Sequence, residues 1–546
     1  MKQVLLLSGC LLAGIANGQT AKFDFKLGME YDLPRKTTDL AFVGNDKDGL
    51  VNISIKKEEL ILVQFDPKSL NKSSERIIDV PEATRNMNSE VVTEFTNGQY
   101  FWLHSDWNKD DQQEQLYSAR INVKTGKLED NNKLLFSTTK VTGNLVPRGW
   151  YISKVDDKYD FTYSHDKTKL LISYRLFPEQ RNDKKNYDKL GFQVFNDNME
   201  KLWGGEFSMP YTEAVMDNSD FTVDSEGNAY LLAKVYENDS RKEKDKEGKP
   251  GYHFEVMKFS KGSSKPMITK VMLDDYFIRE TTLIENGSKS LVVACTYSKK
   301  SKKRNTGTDG VFLANIDGTG NLVNFKKGYY EFPVEELAKY EKGRDRRKME
   351  RAEDFEMPNL KVRDVIVEQD GSIFFSCEEY MMEVVYTSRM SGTGVYMNSS
   401  TKNYYYYYDD IIATKIDANG NMAWVRKVPK RQYGVNDYAT LGYKTVSDAS
   451  GYYFLYLDNI KNMDLADEDV PKRHVNGKGG QVIVTKIGND GKMKKELLFD
   501  TRDEDVMIYP RMFNRIEGNR FIGRAKIKRN VFQPLMITQK GGSTGS

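Results

Sequence analysis

The side chains able to do chemistry are numerous but poorly grouped. The chain has 79 acidic residues, four histidines and three cysteines in 546 positions. Asp417-Ala-Asn-Gly-Asn421 and Asp317-Gly-Thr-Gly-Asn321 look like fragments of calcium loops. Neither reaches the Glu that such a loop needs six residues after its Gly, so both read as hairpin turns. His104, His165, His253 and His474 are far apart and form no zinc-binding pair. There is no Cys-x-x-Cys pair and no phosphate loop in the folded part of the chain. We therefore assign no metal, no cofactor and no catalytic residue. A carboxylate pair of the glycosidase or lyase kind is the alternative. Composition cannot select such a pair. Asp364, near the start of an expected inner strand, is only an example of a carboxylate in a plausible place.

Binding has better candidates. Tyr404–Tyr408 is a run of five tyrosines entering the strand DDIIATKI. Alternation along a strand sends successive rings to opposite faces. Together with Tyr386 and Tyr396, the run implies a hairpin projecting beyond its sheet. We take Tyr404, Tyr406, Tyr408, Tyr386 and Tyr396 as candidate partner contacts, because tyrosine offers broad contact area at low entropic cost. The competing reading is that these rings pack on a neighbouring loop and stiffen the hairpin. Lys299, Lys300, Lys302, Lys303 and Arg304 form the most basic loop. It is either a solvated loop or a salt-sensitive contact for an anionic partner. Elsewhere 82 basic residues balance the acidic ones to a net +3, which gives no global field for nucleic acid.

The elements that position these residues recur. A unit of about four strands returns along the chain, with tight Asp/Asn/Gly turns joining strands one to two and three to four. Examples are Asp224-Ser-Glu-Gly227 and Asp448-Ala-Ser-Gly451, then Asp417–Asn421 and Asn489-Asp-Gly491. Asp and Asn bond their own backbone and Gly supplies positive φ, so the strands fold back antiparallel. Such repetition predicts an all-β fold, a β-propeller of eight four-stranded blades, with seven the runner-up. Two packed β-sandwiches would not explain the ordered recurrence. The last unit has only three strands, and Lys22–Tyr31 alternates as a strand should. We expect it to complete that unit and close the ring. The long insertions Pro178–Lys189, Glu237–Gly251, Ser298–Gly310, Thr387–Asn403 and Asn459–Gly480 all join second to third strands. They should therefore share one face.

Between these units, Val334–Phe355 reads as one helical insertion, a solvated cap or a partner-binding helix. Cys295 and Cys377 sit in apolar strands and read as buried hydrophobes, with a disulfide the alternative. Residues 1–18 have the pattern of an export signal: Lys2, the apolar run Val4–Ile15, then Ala16-Asn17-Gly18. Leu7-Ser8-Gly9-Cys10 also has lipobox letters, so lipidation at Cys10 is the competing reading. We expect residues 19–540 to form the propeller and Gly541–Ser546 to be a linker-like tail. No stretch is long and apolar enough for a membrane helix.

The phrases DNSDFTVDSEGNAYLLAKVYE, DDIIATKIDANGNMAWVRKVPKRQ and FLYLDN resemble exported, uncharacterised proteins of Bacteroidota, relatives of Flavobacterium and Cytophaga. The resemblance runs along most of the mature chain. It implies a β-propeller-like fold outside the cytoplasm and brings no active site. Because the sequence stops at its last strand unit, with no sorting domain, we expect a periplasmic or outer-membrane-associated protein. The expected role is a non-catalytic interaction platform for an envelope protein or glycan, with peripheral or lipid-anchored membrane association possible. The alternative is a carbohydrate-active enzyme with an axial pocket.

Overall fold

Asp417 shows why the strands turn where they do. Its N–H donates to the Asn421 carbonyl at 2.8 Å, and its Oδ1 accepts from the N–H groups of Asn419 (2.9 Å) and Asn421 (2.8 Å). Gly420 supplies the left-handed residue at φ 73°. Asp317 repeats the arrangement, bonding the N–H groups of Thr319 and Asn321 at 2.9 Å each. The Thr319 hydroxyl and these amides hold its carboxyl below the usual carboxylate range. These aspartates serve their own turns, as expected of hairpin chemistry.

The computed structural model describes residues 23–147, 153–178, 185–271, 276–286, 290–299, 307–351, 356–389, 399–475 and 479–540. Within them, eight antiparallel meander sheets follow one another along the chain. They span residues 38–79, 88–138, 159–212, 216–271, 277–331, 360–428, 443–500 and 507–539. Each middle strand is covered on both faces. In Gly451–Asp458 every residue is buried, whereas the fourth strand Lys72–Asp79 buries none. A sheet buried on both faces needs a neighbour on each side, and eight apolar clusters supply it. Each cluster is shared by two successive sheets, and Ile522, Phe532 and Met536 of the last join Phe42, Leu50 and Ile61 of the first. The fold is a β-propeller.

The ring is closed by the expected latch. Phe23–Leu27 pairs antiparallel with Val531–Gln539, in register from Phe23 opposite Gln539 to Leu27 opposite Leu535. It forms the outermost strand of the last sheet, and Tyr31–Asp32 adds a second short pairing to the same strand. The first strands share a feature that the sequence did not disclose. In five sheets the pairing of strands one and two is interrupted near its start by a register shift: Asp39/Ala41, Ser89/Val91, Asn218/Asp220, Ile278/Thr281 and Val362/Asp364. A bulge twists a strand and re-aims side chains, so its recurrence at one place in the unit is part of the design.

Two expectations change. The helical insertion is two helices rather than one, α1 (Val334–Leu337) and α2 (Gly343–Arg351). The break is at Tyr340, which is left-handed at φ 65° and donates its N–H to the Asp467 carbonyl at 2.7 Å. Nor is the insertion a solvated cap: Leu337, Ala338 and Met349 join the cluster between the fifth and sixth sheets. In the insertion Thr387–Asn403 the described residues continue the flanking strands, Ile373–Arg389 and Ser399–Ile416, as a projecting hairpin requires, and residues 390–398 lie outside the described residues. A separate two-stranded hairpin, Asn144–Pro147 with Ser153–Asp156, also stands between the second and third sheets without a sequence signal that marked it. Cys295 and Cys377 are free and buried. No helix among the described residues is long and apolar enough to cross a membrane.

Candidate partner-binding hairpin

Two strands of the sixth sheet outgrow their neighbours. Pairing continues from Tyr380 opposite Tyr408 to Arg389 opposite Ser399, well past the point where the fourth strand, Met422–Val428, has ended. The extension is braced at one edge by Gln432–Val435, which pairs with Tyr405–Tyr408. Asn436, left-handed at φ 57°, ends that brace; its Oδ1 accepts the Tyr404 N–H at 2.9 Å. The tyrosines are therefore strand residues held in a fixed alternation.

One face carries Tyr404, Tyr406 and Tyr408 opposite Val384, Met382 and Tyr380. Tyr404 and Tyr406 stack with centroids 6.4 Å apart, and Tyr438 continues the row 4.9 Å from Tyr406. The Lys402 ammonium lies 4.7 Å from the Tyr404 ring centroid, and the Arg511 guanidinium 5.3 Å from that of Tyr438. The opposite face carries Tyr405, Tyr407 and Tyr433, with the Arg473 guanidinium 5.3 Å from both of the last two. Such cation–π contacts fix ring orientation without covering the rings. Several large apolar groups here face solvent: Tyr386 is 67% exposed, Met382 48%, Tyr438 47% and Met381 43%.

Not every residue singled out by sequence is presented. Tyr408 stands at the root and is only 4% exposed, packed on Tyr380 beneath the cations of Arg363 and Arg511. It belongs to the support, because the ladder enters the body of the propeller there. Tyr396, Lys300, Lys302, Lys303 and Arg304 lie outside the described residues. Lys299 has its ammonium on Glu331 at 2.5 Å, so its charge is already paired. Asp364 is also committed: it accepts from Ser376 Oγ (3.1 Å) and Thr445 Oγ1 (2.7 Å), tying the sixth sheet to the seventh.

What sequence reasoning missed is the root. A bulge between Glu378 and Tyr380 twists the hairpin out of the sheet, and two acidic doublets, Glu378-Glu379 and Asp409-Asp410, meet there. Lys430, fully buried, donates to Glu378 Oε1 (2.7 Å), the Tyr408 carbonyl (2.8 Å) and Gln432 Oε1 (3.3 Å). Arg363 binds the other oxygen of Glu378 at 2.8 Å. Lys427, also fully buried, donates to the Leu337 carbonyl (2.9 Å), Glu341 (2.8 Å) and Asp410 (3.0 Å). The helical insertion is thereby pinned to the root. The doublets followed by two lysines three apart, Lys427 and Lys430, were the available signal.

Burial and the neighbouring carboxylates Asp410, Asp409 and Glu341 push the Glu379 carboxyl up to about 8. Burial and Asp410 raise Asp409 to about 6. Glu379 holds its proton more tightly in the folded protein than the ordinary value of 4.5 allows in the unfolded chain. Its stabilising contribution is therefore complete below about pH 4.5 and is lost as pH rises through about 8. Glu379→Gln keeps the neutral shape at every pH. The variant should match the wild type in Tm near pH 4, exceed it increasingly up to about pH 8, and keep a constant lead from there to pH 9. Parallel Tm curves over that range would rule out the raised carboxyl.

No family model and no curated protein matches the chain. Solved structures are similar only at a distance. The Pyrococcus horikoshii acylaminoacyl peptidase is 10% identical at a TM-score of 0.34, covering 89% of this chain and 55% of that one. The chain thus spans about half the length of that peptidase. A polysaccharide lyase described as a PL25 ulvan lyase is 10% identical at a TM-score of 0.35, covering 81% of this chain and 90% of that one. A Dyadobacter fermentans protein of unknown function is 10% identical at a TM-score of 0.31, covering 94% and 99%.

Proposed function

We propose that this protein is a non-catalytic binding platform of the cell envelope, and that the projecting hairpin is its contact surface for a partner protein. The observation that carries the reading is the exposure of Tyr386 and Met382 on one face of the ladder, with Tyr438 beside them and Met381 on the other face, above a root locked by buried ion pairs. Clustered apolar exposure on a rigid support is expected of an interaction site, since scattered exposed residues do not gather on one projection. Preset rings also lose little side-chain entropy on docking. Export rests on the leader-like first eighteen residues and on the resemblance to exported proteins.

Replacing Tyr404 and Tyr406 with Ser should weaken capture of an envelope partner from native extracts at least about tenfold, the scale of losing one or two aromatic anchors. The melting temperature should barely move, because both rings lie outside the seams between sheets. Equal capture by the folded double variant would remove the hairpin as the contact surface.

A further inference from the structure

A second concave site lies on the second sheet, away from the hairpin. It is a cleft of about 380 Å³ between the 81–87 connection and the end of the second and third strands of that sheet. His104, Trp107 and Tyr117 supply its aromatic wall, and Glu82, Asp106 and Asp110 its carboxylates, against the single ammonium of Lys109. The floor is prearranged. His104 is 3% exposed and sits edge-on to Trp102 and Tyr117, with centroids at 4.4 and 5.3 Å. Asp106 is fixed by the N–H (2.6 Å) and hydroxyl (2.5 Å) of Thr84 and the Trp107 N–H (2.8 Å).

The floor leaves one buried polar atom over. His104 Nδ1 is buried without a hydrogen-bond partner. Burial holds the ring neutral by lowering it to about 4, so one of its two nitrogens presents a lone pair. Asn132 donates its amide to the Pro81 carbonyl at 3.0 Å and lines the cleft. Tyr117 has given its hydroxyl hydrogen to Gln115 at 2.6 Å. Among the described residues no ion pair engages Glu82 or Asp110. Acceptors, negative charge and aromatic faces together suit a ligand that is a donor, cationic and partly apolar.

We propose that this cleft binds a small organic ammonium ion, the cation resting on Trp107 and Tyr117 and donating to the carboxylate rim. An anion would meet three carboxylates. A neutral polyol would leave the charge of the carboxylates uncompensated. The site is independent of the hairpin, so neither reading depends on the other.

Titration calorimetry of the full chain with cadaverine, its diol analogue and tetramethylammonium tests the assignment. Cadaverine should bind saturably, more weakly as salt rises, and the diol should give no binding. Glu82→Gln with Asp110→Asn, and separately Trp107→Ala, should each weaken cadaverine at least about tenfold. Both variants alter surface positions, and circular dichroism confirms their fold. Tetramethylammonium binding that persists in the carboxylate variant but fails in Trp107→Ala would assign the cation to the ring. Equal binding of the diol, indifference of cadaverine to both variants, or no binding of either cation would overturn the proposal.

Discussion

Lys430→Met is expected to destabilise the protein by about 3–5 kcal/mol, the cost of removing one partner from a buried ion pair. The reason is the company Lys430 keeps. Its ammonium has no access to water and bonds Glu378, the Tyr408 carbonyl and Gln432 at once. Methionine fills the volume but leaves one oxygen of Glu378 and a strand carbonyl unpaired in the interior. Adding Glu378→Gln should recover a large part of the loss, because the stranded charge is then gone. Arg363, about a third exposed, still reaches solvent. Arg346→Ala, which breaks solvent-screened surface pairs with Glu350 and Glu468, should cost far less. Chemical denaturation of the three variants gives the comparison. A Lys430→Met loss no larger than that of Arg346→Ala would mean that the root is wetter or looser than its geometry. Partner capture should fall with Lys430→Met even where the rings are intact, since the hairpin leaves the propeller at this bond.

How much of this was legible follows from which interactions are local. Turns are local, so Asp417–Asn421 and its relatives marked strand ends correctly, and repetition of those marks implied a propeller. Alternation is local too, and it placed Tyr404 and Tyr406 on one face and Tyr405 and Tyr407 on the other. The root was not legible, because Lys430 and Glu378 lie 52 residues apart and meet only through the sheet. Composition could not separate those two from the other charged residues, most of which are solvated. Tyr408 misled for the same reason: part of what surrounds it, Arg511, comes from another sheet. The helical insertion misled through sparse apolar spacing, although Val334, Leu337, Ala338 and Met349 reach one seam. The cleft on the second sheet needed three separate stretches of chain, and His104 had been read only as a lone histidine.

Removing residues up to Leu27 should open the ring, and removing them up to Leu33 should open it further. Phe23 is 5% exposed and packs edge-on against Tyr453 at 5.3 Å, while Phe25 lies 4.3 Å from Phe499. Both contacts belong to the seam between the seventh and last sheets. Tyr31 and Leu33 belong instead to the seam between the last sheet and the first. The first truncation therefore strips one seam and the second strips two. Loss of Phe23 alone compares with a large core deletion, about 3–5 kcal/mol, and Phe23→Ala tests that part without shortening the chain. Truncation has a further consequence, because it leaves Val531–Gln539 as an unpaired strand edge. Such an edge is a template for another chain, so the truncated protein should self-associate at concentrations where the full chain does not. Thermal melting and light scattering read the two effects separately. An unchanged Tm together with an unchanged mass would show that the seams hold the ring without the latch. A lower Tm with an unchanged mass would show that the latch matters for its buried rings and not for the edge it covers.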